Sequence, residues 1–562
     1  MSDKQVFLRN NIQVEPLIYN WFSWIQLISP VTSALNMVKK NLDIMNSYIM
    51  SPQMHAAAIS NPFFKGGPFI DLKGERADEI KALRDKIVEE NPEIFELVSA
   101  INELDGLLKS EAKGFALETL YSKIPKPLQG YVDLYYDLDH KPGYKLMEAL
   151  LYKSRYYKES NQSIALSEIT SDSDRPFIMS TPRLEGPGVC HLKIPFRHDA
   201  LDELFKMKRT SNGLNYIKNR LGITEAQAGL FESFFTEESP APYQPYTGDK
   251  VRVRYFGHAC ILIETGAVNI LVDPVLSYTY ESDISRFTYD DLPDVIDYVL
   301  VTHSHYDHIL IETILQIRHK VKHIIVGRNL EGALTDPSLT LILKHLGFKQ
   351  VIEISDLQEI PIPNGSITGL PFMGEHHDLF IHSKSSYFVS VKGHKFLIMA
   401  DSCNMSPAVY EHVHAIVGDA DVLFLGMECD GAPVSWPYGP LFKEQVRTDI
   451  DRSRRGRGSD YAEAISLVDI FNPKEAYVYA MGAEPWVHHI LGVSYTDESH
   501  PIVQSNMFVS ECENRGITAS RLVGERRSVA KNYFLLRSFH LGVFLAAFCW
   551  RKNMFCRARY GR

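Results

Sequence analysis

None of the seven cysteines stands in a CxxC pair, and their spacing along the 562 residues is irregular. That excludes a disulfide framework or a cysteine-only zinc site and fits reduced thiols in a cytoplasm. No run of about 20 apolar residues is present, so no spanning helix is expected. The first twenty residues carry charges and lack the apolar stretch of a cleavable signal. Positive charge is scarce too: the formal net charge is −10 and the pI about 6.1. A broad nucleic-acid surface needs a basic stripe and is excluded on that ground. The exception is the C-terminal tail, residues 521–562, with ten Lys/Arg against one acidic residue and an apolar stretch from Phe539 to Trp550. It reads either as a poorly packed extension or as a membrane-surface attachment, and its role is unknown.

The length calls for two domains with appendages. Residues 1–235 place apolar side chains three to four apart among charges over 77–90, 92–108 and 201–221, which predicts a mainly helical domain. Three prolines within Pro240–Pro245 stop the pattern, so 236–250 is read as a linker. From Val251 the period changes. Short β-branched and aromatic runs recur (261–263, 269–272, 298–301, 323–326, 387–391, 395–399, 422–425, 476–479), as buried strands of an α/β or sandwich domain over 251–520 would require.

Several of these strands end in metal-ligand residues. Directly after Asp297–Val301 the chain reads Thr302-His303-Ser304-His305-Tyr306-Asp307-His308. Alternate positions on an extended loop face the same way, so two imidazoles can address one metal and the Asp307/His308 pair a second. A merely His-rich surface turn is a poor reading of such a cluster behind a buried strand. The pattern resembles the metallo-β-lactamase superfamily, whose αββα sandwich is therefore the expected fold. That resemblance also implies an early aspartate, Asp273, orienting a ligand, although an aspartate before Pro274 can equally be a plain turn residue. It further implies a bridging aspartate, Asp401, and a late histidine, for which His488 and His489 compete and motif alignment favours His489.

One position departs from the zinc hydrolases of that superfamily. Where they offer a histidine, this chain reads Gly374-Glu375-His376-His377-Asp378-Leu379. If Glu375 is the ligand, the set is rich in carboxylates, which suits oxidisable iron better than zinc. If His376 is the ligand instead, a dinuclear zinc hydrolase acting on a thioester, lactone or phosphodiester is the alternative. A metal-free chain that only binds a partner is a third reading, disfavoured because every ligand position is filled.

The Gly-Glu-His-x-Asp-Leu stretch, together with Leu27–Pro30, Met45–Tyr48, His55–Ala58, Gly66–Phe69, Ile194–Phe205, Asp336–Leu339 and Met481–Trp486, resembles a narrower family, the diiron β-hydroxylases of nonribosomal peptide assembly in antibiotic biosynthesis. The resemblance covers residues 15 to 520 and implies an O2-dependent monooxygenase. It implies two iron ions, an external reductant of unknown identity, and an amino acid held as a thioester on a peptidyl carrier domain. It implies a helical N-terminal lid that also forms a homodimer. Carried over, His303, His305 and Glu375 hold one iron, Asp307, His308 and His489 the other, with Asp401 between them. Glu428 would be a nearby catalytic carboxylate, unless it is a surface residue ending its strand. A carrier domain is commonly acidic, so its docking on this acidic chain requires a local Lys/Arg patch.

Overall fold

A computed structural model describes residues 3–529 except 62, 63, 65, 173 and 174. The apolar stretch of the C-terminal tail lies outside the described residues. Two seven-stranded sheets dominate the second half. One runs Val351–Ile354, Val321–Gly327, Ile296–Leu300, Asn269–Val272, Cys260–Glu264, Arg252–Gly257, Arg526–Val529. The other runs Glu359–Ile362, Gly365–Leu370, Ser386–Val391, His394–Ile398, Val422–Gly426, Glu475–Tyr479, Thr518–Arg521. The chain thus stays in the sheets past residue 520, where the sequence reading ended the domain.

Alternation along the strands decides which layer each side chain joins. In Cys260–Glu264, Ile261 and Ile263 enter the cluster between the sheets, while Cys260 and Leu262 enter a second cluster on the outer face. Val422 and Phe424 likewise point between the sheets, and Leu423 and Leu425 point out under the helices Pro407–Val417, Tyr461–Phe471 and His500–Asn514. Both faces of each sheet are covered, which explains why the strands read as unbroken apolar runs. This is the expected αββα sandwich.

The N-terminal half covers much of the outer face of the first sheet. Its Ile12, Leu97, Leu104, Phe196 and Leu204 belong to the same apolar cluster as Leu262, Leu271 and Val299. Helices form where the periodicity predicted them, at Ala77–Glu90 and Pro92–Glu111, the latter with proline in its first turn and Ile94, Leu97, Val98, Ile101, Leu104 and Leu108 buried. The stretch 201–221, however, is two helices, Asp199–Lys206 and Leu214–Leu221. Between them Asn212 and Gly213 pair as a short strand with Val6 and Gln5, a choice that depends on a partner 200 residues away. Strands that periodicity did not reveal also form a four-stranded sheet, Trp21–Phe22, Ile12–Ile18, Gln162–Glu168, Val189–Leu192. Residues 237–250 form neither helix nor strand. Among the described residues no helix is long and apolar enough to cross a membrane.

Candidate metal centre

The strand Ile296–Leu300 is buried and parallel to both neighbours, so its C-terminal end opens at the sandwich edge where ligands of α/β sheets collect. Thr302 to His308 emerge there. Asp273, one strand over, pins them: its Oδ1 accepts from the Thr302 N–H at 2.8 Å, and its Oδ2 accepts from the Thr302 hydroxyl at 2.6 Å and lies 2.9 Å from His308 Nδ1. With Nδ1 held by a carboxylate, His308 turns Nε2 inward, 3.1 Å from Asp401 Oδ2.

Asp401 follows the strand His394–Ile398, and Glu375 sits in the loop after Gly365–Leu370, so both carboxylates come from the second sheet. Three compact donor groups result, each with ligand atoms within 4.8 Å of one another: His303, His305 and Glu375; His303, His308 and Asp401; and His258, Asp307 and His308. Glu375 Oε1 is 3.2 Å from His305 Nδ1, and Asp401 Oδ2 reaches both His308 and, at 3.9 Å, His303. Asp401 thus lies close to ligand atoms of both His303 and His308.

Burial and charge set the protonation of the cluster. Burial drives the His303 imidazole well below its ordinary pKa, helped by the neighbouring imidazoles. For His308 burial acts the same way, but Asp401, Asp307 and Asp273 outweigh it and raise it well above. Burial pushes the Asp307 carboxyl up, while His308 and His258 bring it below the usual carboxylate range. Buried atoms lacking a hydrogen-bond partner converge here: His303 Nε2, His305 Nε2, Glu375 Oε2 and Asp401 Oδ1. Four orphaned acceptors in one nest cost several kcal/mol, which a bound cation offsets. The donor groups, three carboxylates with four imidazoles, one of them (His258) beside Asp307, fit hard, oxidisable metal ions.

His376 lies beside this nest, its ring 4.6 Å from that of His305, but joins none of the compact groups. The expected late ligand is not brought in either. His489 is buried in a small cavity with Asp172, Arg175, Tyr278, Tyr280 and Trp486, and burial together with Arg175 and Arg183 holds its imidazole well below the usual pKa. Its carbonyl accepts from the Ile178 N–H at 2.9 Å, tying the loop to the N-terminal half. Its neighbour His488 is not in the compact groups. The place beside Asp307 is taken by His258, whose Nε2 is 3.0 Å from Asp307 Oδ2. Sequence reading missed it because it comes from a tight turn between the first two strands. Its signal was there, a histidine in the short turn between the strands Arg252–Gly257 and Cys260–Glu264.

The backbone is held in unusual conformations at these places: His258, Asp273, Glu375, His377, Asp378 and Ala400 all have positive φ between 39° and 58°. Such residues collect where the surrounding fold dictates side-chain direction. Gly456 faces the site from the opposite wall. A Cβ there would come within 2.5 Å of the His377 ring and 3.0 Å of Glu375 Oε1.

A cavity of about 810 Å³ opens onto the metal ligands. His305, Asp307, Glu375, Asp401 and Glu428 line its floor. Burial raises the Glu428 carboxyl to about 7, although the Gly431 N–H donates to its Oε2 at 2.6 Å. The N-terminal half supplies a wall through Phe64 and Gly66 to Phe69.

The family model described as the diiron non-heme beta-hydroxylase N-terminal domain matches residues 7–240, and that of a beta-lactamase superfamily domain matches 268–432. The 4-amino-L-phenylalanyl-CmlP-peptidyl-carrier-protein 3-hydroxylase of Streptomyces venezuelae is 38% identical over 525 residues, 92% of this chain and 98% of that protein. The crystal structure of CmlA, a diiron beta-hydroxylase from Streptomyces venezuelae, superimposes with a TM-score of 0.89 at 37% identity, covering 94% of this chain and all of that one. A UPF0173 protein of Pyrococcus abyssi is 29% identical over 231 residues, 40% of this chain and 81% of that protein.

Proposed function

The chain belongs to the diiron non-haem β-hydroxylases, and from that membership we propose that it hydroxylates the β-carbon of an amino acid tethered as a thioester to a peptidyl carrier domain, in the biosynthesis of a nonribosomal peptide antibiotic. The observation that carries this reading is the donor group His303, His305 and Glu375, a carboxylate where a hydrolase needs a third imidazole. We assign His303, His305 and Glu375 to one iron, and Asp307 and His308 to the other, with Asp401 shared. Asp273 orients His308, and His258 orients Asp307.

Two iron ions bound there supply, with O2 and two electrons from an external reductant, the oxidising power to convert a C–H bond to C–OH with release of water. The protein's own contribution is placement. The cavity floor carries every proposed ligand except His303 and His308, which are buried behind it, so a substrate reaching the floor meets the metal side of the cluster. Phe64, Phe69, Trp436 and Leu491 line the walls and displace water from around the reacting carbon. Glu428, oriented by the Gly431 N–H, is the group placed to pass a proton at the floor. A cytoplasmic location fits the five described cysteines, all free and buried, and the homodimer implied by the resemblance is tested by light scattering.

The deciding experiment loads a carrier domain with candidate amino acids, adds reductant and 18O2, and follows the tethered product by mass spectrometry. One labelled oxygen atom on the substrate, in protein that purifies with iron, is the expected result. Release of the free amino acid by a zinc-containing protein, without oxygen incorporation, would sink the hydroxylase reading in favour of hydrolysis.

A further inference from the structure

Part of the cavity wall comes from Gly456, Arg457 and Gly458, at the end of the segment 447–458. Its short strand Arg455–Gly456 pairs with Ala432–Pro433, and Gly456, Arg457, Ala432 and Pro433 all line the cavity. The helix Thr448–Ser453 is clamped to the same wall by Asp451, which accepts from the Ser435 N–H and hydroxyl, each at 2.8 Å, next to the cavity-lining Trp436. Five arginines fall in these twelve residues of an otherwise acidic chain.

Two of them are neutralised: Arg447 pairs with Asp449 and Arg457 with Glu463. Three are not. The Arg454 guanidinium donates to the His377 carbonyl at 2.9 Å, and that of Arg455 donates to the Asp430 and Gly431 carbonyls. Backbone carbonyls orient these cations without cancelling their charge. Arg452 is exposed and has no hydrogen-bond or ion-pair partner among the described residues. Two residues earlier in the same helix Ile450 is exposed, an aliphatic side chain available for contact. Unpaired guanidinium groups, two of them held by backbone carbonyls of cavity-lining residues, form a receptor for a phosphodiester and for carboxylates.

We propose that Arg452, Arg454 and Arg455, with Ile450 of the same segment, are the docking surface for the carrier domain. The patch takes the phosphodiester at the base of the pantetheine arm and the acidic face around it, so that the arm enters along the Gly456 wall toward Glu375. This rests on the function proposed above. Charge complementarity selects the occupant: on a chain of net charge −10, arginines not neutralised by carboxylates attract an acidic partner.

The test measures binding and turnover separately. A fluorescently labelled, phosphopantetheinylated peptidyl carrier domain is titrated by anisotropy against wild type, Arg452→Glu, Arg455→Glu and, as a control with the same change in net charge, Lys349→Glu. Arg452 is exposed and makes no hydrogen bond or ion pair among the described residues, so its reversal leaves the fold intact. The expected result is at least a tenfold weaker Kd for the two arginine variants, a Kd within twofold of wild type for the lysine control, and a shallower salt dependence in the arginine variants. Turnover of a small aminoacyl-pantetheine thioester should be the same in wild type and Arg452→Glu. An unchanged Kd in Arg452→Glu, an equal loss in the lysine control, or no saturable binding to wild type would overturn the docking surface. Binding lost in Arg452→Glu with no oxygen insertion by wild type would instead overturn the function while leaving the surface standing.

Discussion

Glu375 offers two oxygens to the centre, one toward His305 and one left without a partner, in a backbone conformation that only its surroundings enforce. Its removal takes away a ligand and no core packing. Glu375→Ala is therefore expected to lose bound iron and all turnover while its circular dichroism spectrum stays that of wild type; full activity would show that another residue, with His376 first in line, is the ligand. Asp273 acts at one remove, through the Nδ1 atom of His308. Asp273→Ala should cost about 10–100-fold in metal affinity or activity, read as iron retained after dialysis. Asp273 could be singled out in the sequence because it directly follows an apolar strand, a local property, whereas Glu375 lies in a loop beyond the strand Gly365–Leu370 and was singled out only through the family resemblance of Gly374–Leu379. That His489 lies outside the compact donor groups was not legible in the sequence. Adjacent histidines in one short helix look alike until Arg175 and Arg183 are seen beside one of them.

Elements meet at the site by close backbone approach. The loop carrying Gly66 packs on Gly492, where an added Cβ would lie 2.8 Å from the Gly66 Cα, and both glycines have positive φ. Gly492→Ala should push the Gly66–Phe69 wall away from the cavity. The expected outcome is normal iron content with reduced turnover and a raised KM; unchanged kinetics would show that the wall tolerates the shift. A second junction joins the strand Ile12–Ile18 to the helix Ile311–Ile317. Glu15 and Glu312 share Arg175, and Arg183 gives Glu15 a second cation. For Glu15 burial opposes ionisation, but Arg183 and Arg175 prevail and lower its carboxyl to about 2, whereas burial prevails for Glu312 and raises it. A carboxyl depressed in the folded state stabilises above its unfolded pKa and loses that stabilisation as pH falls through the folded one. Wild type should therefore be more stable than Glu15→Gln by about 3–5 kcal/mol at pH 7. In urea titrations that gap should close between the ordinary carboxylate value of 4.5 and about 2. A gap independent of pH would mean that packing, and not charge, holds the junction.

At the scale of the whole molecule the two halves share one apolar cluster running from Val6 to Ile490. The second half alone would expose the outer face of its first sheet, including Leu262, Leu271 and Val299. Residues 247–529 expressed without the first half should aggregate or remain insoluble, and co-expression of residues 1–246 should rescue solubility; a soluble, monomeric fragment would show that the halves fold independently. Chelation of the metals should lower the Tm while leaving the secondary structure in place, because the orphaned acceptors of the nest lie at the edge of the sandwich and outside its packed clusters.

By itself the sequence determined the sandwich, helices over 77–90 and 92–108, and the clustering of His303, His305, Asp307 and His308 in one loop behind a buried strand. Each of these is encoded in residues that are neighbours along the chain, in a period of two, a period of 3.6, or one loop. Tertiary structure alone decided the rest: that His258 and not His489 stands beside Asp307, that Asn212 and Gly213 form a strand, and that Arg454 and Arg455 donate to backbone carbonyls of cavity-lining residues and not to carboxylates. Those outcomes depend on burial and charge contributed by segments up to hundreds of residues away, and such contributions exist only once the chain is folded.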